Sequence, residues 1–275
     1  MTAVGVVGPG RVGLGLGLAL VRAGYHVVAH GRTPKPLPPQ IAATFGGTPG
    51  WVPLVDVVLI AVPDDAVAGV AADLARARSV ERRHTVLHVS GALDRSALCS
   101  LEPSGAALGS LHPLQTFSDP GSAPERLRGA VAVIEGDERA VRVAAELATA
   151  VGLTPVAIPS ASKATYHAAG VFGSNYVVAL AAVARRLLEQ AGLPRDVAWP
   201  ALVSLLRGTV ENLAASGPEK ALTGPAARGD AETIRRHLAA LSGEDAELYR
   251  LLGREAADLA ELEPARRAAV EKALD

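Results

Sequence analysis

Apolar positions divide the chain into two unlike halves. In the first, short and nearly continuous apolar runs alternate with segments of helical length. The runs lie at residues 3–7, 25–30, 55–62, 85–89, 106–111, 130–134 and 154–158. They alternate little between apolar and polar, which suits strands covered on both faces. Amphipathic stretches at 11–23, 64–78 and 138–151 supply the covering helices. The segment Thr33-Pro34-Lys35-Pro36-Leu37-Pro38-Pro39 holds four prolines in seven residues. Proline lacks the backbone donor and disfavours helix in the residue before it, so an extended loop is predicted in place of a helix there.

From about Ser160 the strand pattern stops. Ala, Leu, Arg and Glu dominate helix-length segments at 163–191, 195–215, 230–241, 245–261 and 265–273, punctuated by Pro194, Gly217-Pro218, Gly224-Pro225, Gly243 and Pro264. The predicted fold is a doubly wound α/β domain over residues 1–159, followed by an all-α helical domain over 160–275. The stretch 168–184 is apolar but interrupted by Ser174 and Asn175. It is short for a membrane span, and a buried helix explains it better. A helix so weakly charged needs an apolar partner, either the domain interior or a second copy of the chain.

Composition narrows the function. A formal charge of −1 over 275 residues argues against nucleic-acid binding. The lone Cys99 excludes an internal disulfide framework and a thiolate zinc cluster, and no metal site is expected. The start of the chain enters an apolar strand directly, without the pattern of a secretory signal, so a cytoplasmic protein with no membrane partner is expected.

The run Gly8-Pro9-Gly10-Arg11-Val12-Gly13 fits G-x-G-x-x-G. Alone the motif is weak, but it follows the first strand and opens an amphipathic helix. Gly8 permits the tight turn, Gly10 lets the backbone approach a pyrophosphate, and Gly13 allows close helix–strand packing. The second strand ends His30-Gly31-Arg32-Thr33, where an NAD site usually carries a carboxylate. Arg32 can bind a ribose 2′-phosphate bidentately and Thr33 can add a hydrogen bond, which predicts NADP(H).

Ligands of open α/β sheets sit beyond the carboxyl ends of the strands. Small or polar residues mark those ends at Gly8, Val62-Pro63-Asp64, Ser90-Gly91 and His112-Pro113-Leu114-Gln115-Thr116. Asp64 and Asp65 read as caps of a helix beginning at Ala66. His84 and His88 read as packing or surface residues. His112 reads as the first residue past its strand, either bonding substrate or the nicotinamide carboxamide, or structural. Gln115 is a candidate substrate ligand.

The 27 basic residues are 23 arginines and four lysines. One of the four, Lys163, opens an otherwise apolar helix. At 100° per residue, Lys163, His167, Gly170 and Ser174 fall within about 60° of one another, with Asn175 at the edge of that face. Hydride transfer to a carbonyl develops negative charge on oxygen, which a fixed cation stabilises. Lys163 fits that task, His167 could orient it or bind substrate, and Ser174 and Asn175 could hold substrate. The same lysine could also simply run its stem along apolar surface. Phe117, Tyr166, Phe172 and Tyr176 cluster near these segments and could wall a pocket.

The glycine motif, Leu111-His112-Pro113-Leu114-Gln115-Thr116-Phe117, the segment 163–175 and Leu222-Thr223-Gly224-Pro225-Ala226-Ala227-Arg228-Gly229-Asp230 together resemble a two-domain bacterial oxidoreductase family. That family joins a Rossmann-like domain to a helical domain long of unknown function. It is similar in plan to ketopantoate reductases, pyrroline-carboxylate reductases and β-hydroxyacid dehydrogenases. The resemblance implies reduction of a small carbonyl substrate, such as a 2-keto acid like ketopantoate, with a homodimer formed through the helical domain. Related enzymes place an asparagine four residues after the helix lysine; here that position is His167. The alternatives are an imine reductase and a non-catalytic NADP(H)-sensing protein.

Overall fold

The computed structural model describes residues 2–275. Eight strands form one sheet: β1 (Ala3–Val7), β2 (His26–Gly31), β3 (Ala42–Phe45), β4 (Val57–Ile60), β5 (Thr85–His88), β6 (Ala107–Pro113), β7 (Val131–Gly136) and β8 (Thr154–Ala157). Their order is β3-β2-β1-β4-β5-β6-β7-β8. All neighbours are parallel except β6 and β7, which pair antiparallel with Ser110 opposite Glu135. The four central strand residues Val57, Val58, Leu59 and Ile60 alternate between two separate cores. Val57 and Leu59 pack on the face covered by α1 (Arg11–Arg22), and Val58 and Ile60 on the face covered by α2 (Asp64–Arg76). Burial on both faces is why these strands read as unbroken apolar runs.

The α1 face also carries α3 (Ala123–Leu127) and α4 (Glu138–Ala150), while a 3₁₀ segment, Arg95–Ser104, packs beside α2. The proline-rich segment after β2 is an extended loop that leads to β3. Asp64 and Asp65 lie in the first turn of α2 with Pro63 at the cap position, so they are not caps. The order in which strands are added reverses between β1 and β4, which opens a crevice above Gly8 and Val62.

After β8 comes α5 (Lys163–Gly173). Residues 1–175 form one compact unit, which therefore includes α5, and residues 176–275 form a second. Ser174 departs from helical geometry at φ −132°, ψ −70°, and α6 (Asn175–Gln190) follows. The rest is helical: α7 (Arg195–Ala221), α8 (Pro225–Arg228), α9 (Ala231–Ala240), α10 (Gly243–Leu259) and α11 (Pro264–Leu274). Gly217 interrupts α7 with φ +78°. Asp230 caps α9 by accepting from the Thr233 amide at 3.0 Å. A small core of Ile234, Ala257, Val270 and Leu274 joins α9, α10 and α11.

The stretch 168–184 is helical but largely exposed within this chain. Ala181 is the buried residue of α6, whereas Val178 is 70% exposed. On α7, Leu205 and Val210 are exposed too. By length and composition alone, Ser160–Gln190 could cross a membrane. Two features oppose a continuous span: the break at Ser174 and the burial of Lys163 within the first unit.

Replacing Leu59 or Ile60 by alanine should each destabilise the protein by about 2–5 kcal/mol in urea unfolding, since each leaves a cavity in a separate core. A near-neutral Ile60→Ala would mean that the α2 face is not a true core.

Candidate active site

The glycine turn has the geometry its spacing predicts. Gly8 adopts φ +97°, and its amide donates to the His30 carbonyl at 2.9 Å. A Cβ on Gly13 would lie 2.3 Å from the Gly8 carbonyl oxygen, so helix and turn can meet only without a side chain there. A Cβ on Gly10 would meet nothing within 4 Å, which leaves that backbone open to a ligand. No side chain caps α1, and Gly10, Arg11 and Val12 at its start line the opening. These features fit a dinucleotide pyrophosphate.

Above the turn, Gly8, Pro9, Gly10, Arg32, Thr33, Val62 and Pro63 line a cavity of about 540 Å³. Lys35 lines it as well, its ammonium donating to the Pro9 carbonyl. From the sequence alone Lys35 is only part of a proline-rich loop. Two cations, Arg32 and Lys35, and the Thr33 hydroxyl thus border one space at the end of β2, a donor set suited to a phosphate on the ribose.

A second cavity, of about 410 Å³, continues past Gly10, Arg11, Val12, Val62, Pro63, Asp64, Ser90 and Gly91 to His112 and His167. A third, of about 540 Å³, begins at the same two histidines. It runs along α5 past Tyr166, Gly170, Ser174 and Asn175, with Gln115 on its wall. His112 and His167 therefore border both spaces. Their rings stand edge to face with centroids 6.3 Å apart. Gly91 is fitted against them: a Cβ there would come within 2.7 Å of His167 and 2.9 Å of His112.

His112 lies inside β6, because the antiparallel pairing with β7 carries that strand through Pro113. Its Nδ1 is 2.7 Å from the Tyr166 hydroxyl. Burial, reinforced by the charges of Lys163 and His167, lowers its pKa to about 4. Burial likewise raises the Tyr166 phenol to about 12. Both groups are neutral across the physiological range. Gln115 is occupied locally, its amide donating to the Arg126 carbonyl and its oxygen accepting from the Thr116 amide.

Lys163 is 1% exposed and lines none of these cavities. Its ammonium donates to the Ser90 carbonyl at 3.0 Å and to the Ser110 hydroxyl at 3.1 Å. Ser110 in turn donates to the buried carboxylate of Glu135 at 3.3 Å, and Ser160 donates to the other oxygen at 2.7 Å. Burial lowers the Lys163 pKa, and the Glu135, Asp64 and Asp94 carboxylates oppose that shift. The helical stripe thus splits: His167, Gly170 and Ser174 face the cavity, while Lys163 turns beneath the Ser90–Gly91 turn. Sequence reading missed Ser110, Glu135 and the Tyr166–His112 bond. A signal for Glu135 was present, a lone acid in the apolar run Val131-Ala132-Val133-Ile134.

Fold and site define a two-domain protein with a dinucleotide-type crevice. Residues 1–113 match the Rossmann-like domain family, and residues 130–256 match DUF2520, a domain of unknown function. The chain joins a Rossmann-like domain to a DUF2520 domain. It is similar in structure to protein TM1727 of Thermotoga maritima, with 27% identity, TM-score 0.71, and 94% of this chain and 98% of that one covered. A Bacteroides fragilis protein provisionally described as an NADP oxidoreductase superposes with TM-score 0.72 at 23% identity, over 94% of this chain and 98% of that one. The pyrroline carboxylate reductase of Plasmodium falciparum, solved with NADP bound, superposes with TM-score 0.61 at 12% identity, over 100% of this chain and 98% of that one. These likenesses establish a shared fold. No curated protein sequence matches.

His112 makes stability depend on pH. The unfolded chain takes up its proton near pH 6.5, the folded chain only near 4. The contribution of neutral His112 is therefore complete above about 6.5 and is lost as pH falls through 4, amounting to about 3 kcal/mol. Urea midpoints should fall over that window, less steeply in His112→Gln. An imidazole that titrates near 6.5 by NMR would contradict this.

Proposed function

We propose that the protein is an NADPH-dependent oxidoreductase that reduces a small carbonyl substrate by hydride transfer. The observation that carries this reading is the shared wall of two cavities. One leads from the glycine turn, the other runs along α5, and both end at His112 and His167. Bound along the first, the cofactor supplies the hydride. Substrate would occupy the second, held by His167, Ser174 and Asn175 with its oxygen toward His112. Gly91 keeps the backbone low at the junction, where any side chain would collide with both imidazoles.

Arg32, Thr33 and Lys35 support NADP(H) over NAD(H). So does NADP on the same fold in the Plasmodium reductase. Lys163 supports reduction through its charge, one hydrogen bond behind Ser90, where it favours negative charge developing across the turn. A 2-keto acid such as ketopantoate is the first substrate to try. We infer further that the protein is a cytoplasmic homodimer. The exposed apolar residues Val178, Leu205 and Val210 support pairing through the helical domain.

NADPH should bind more tightly than NADH. Arg32→Ala and Lys35→Ala should each weaken NADPH roughly tenfold while leaving NADH unchanged, as expected for loss of one charge-assisted contact. Equal affinities for the two cofactors would remove the assignment. With a carbonyl that supports NADPH oxidation, Lys163→Met should lower kcat roughly tenfold or more and leave NADPH binding intact. Tight NADPH binding without turnover across carbonyl and imine panels would leave a sensing role instead.

A further inference from the structure

We propose that Tyr166 is a positioning residue that holds His112 as the neutral Nε2–H tautomer, so that His112 presents a hydrogen-bond donor to the reacting oxygen. The assignment deepens the reductase reading and rests on it for the identity of that oxygen. The tautomer itself does not depend on it.

Three observations converge. The Tyr166 hydroxyl is 2.7 Å from Nδ1 of His112, a short bond between partly buried groups. Nε2, at the opposite side of the ring, makes no hydrogen bond among the described residues. It lies 2.9 Å from the point that a Cβ on Gly91 would occupy, at the junction of the two cavities. Nδ1 is thus engaged by protein and Nε2 is left toward the ligand space.

A neutral imidazole carries one proton, and its position follows from what the other nitrogen does. A phenol is the better donor of the two groups and the poorer acceptor. The O–H therefore points at Nδ1, and the ring proton sits on Nε2. The buried ammonium of Lys163 and the neighbouring His167 disfavour a second proton on the ring, while Asp64 opposes them more weakly. The rings of His112 and Tyr166 stand nearly perpendicular, at 81°, which fixes the imidazole plane relative to the phenol.

The same bond provides a proton path. In a carbonyl reduction, the hydride that the cofactor supplies leaves an alkoxide, which must take one proton. Nε2 gives that proton as Nδ1 takes the one on the Tyr166 oxygen. After product leaves, water in the α5 cavity, which His112 and Tyr166 both border, returns a proton to Nε2 as the Nδ1 proton moves back to the Tyr166 oxygen, which restores the starting tautomer. Charge and protons balance without an imidazolium, which burial disfavours at this position.

The first test is long-range ¹H–¹⁵N NMR of the protein without cofactor or substrate. His112 should show a protonated-type Nε2 and an unprotonated, pyridine-type Nδ1. Tyr166→Phe, which keeps the ring and removes the oxygen, should give a mixture of tautomers. A wild-type Nδ1–H form, or a tautomer unchanged in Tyr166→Phe, overturns the proposal whether or not the protein reduces anything. In turnover with NADPH and a working carbonyl substrate, Tyr166→Phe should lower kcat roughly tenfold or more with NADPH affinity unchanged. Unchanged kcat there would overturn the proton path. Failure to bind NADPH would overturn the reductase reading and leave the NMR result standing.

Discussion

A buried ammonium organises this site. Lys163 comes from the start of α5, yet its Nζ is bonded to the Ser90 carbonyl just past β5 and to Ser110 in β6. Ser110 and Ser160 pass the compensation on to Glu135 in β7. Isolated charges in a low-dielectric interior are expensive, and each here is tolerable only because the other is bonded through the same hydroxyl. This network ties the first helix after the sheet to three adjacent strands. It sets where His167 and Tyr166 stand, because both lie within the next turn of that helix.

The second constraint is space. Gly13 packs against the turn, Gly10 leaves it open, and Gly91 lies under two imidazoles. At each point the missing side chain decides whether backbone, helix or ring can approach. Burial then does chemical work, since it keeps His112 neutral and Tyr166 protonated so that a short bond joins two uncharged partners. A neutral donor in a partly closed cavity can polarise a developing oxyanion at little reorganisation cost.

Most strands were legible as apolar runs, because burial on both faces of the inner ones leaves few polar positions. The exception is β3, which lies at the sheet edge with Ala42, Ala43 and Thr44 exposed, so no apolar run announced it. Direction was not legible: residues 130–134 read as a strand, but periodicity says nothing about antiparallel pairing with β6. That pairing moves His112 from beyond the strand to within it. The apolar run at 168–184 is helical and largely exposed within this chain, because hydrophobicity records a need for a partner and not what supplies it. In the site, the glycine turn and Arg32 were readable. Gln115 looked available until its loop engaged both ends of its amide.

The sequence by itself determined the two-part architecture, the phosphate-binding turn and the face on which Lys163, His167 and Ser174 begin. These follow from helical and strand periods and from the positive φ at Gly8, which are local rules. Only the tertiary structure decided that Lys163 turns inward, that Lys35 joins Arg32, and that Tyr166 engages His112. Ser110 and Lys163 are 53 positions apart, and His112 and Tyr166 are 54 apart. No local pattern spans such distances; the sheet brings those residues together, and burial then sets which protons they keep.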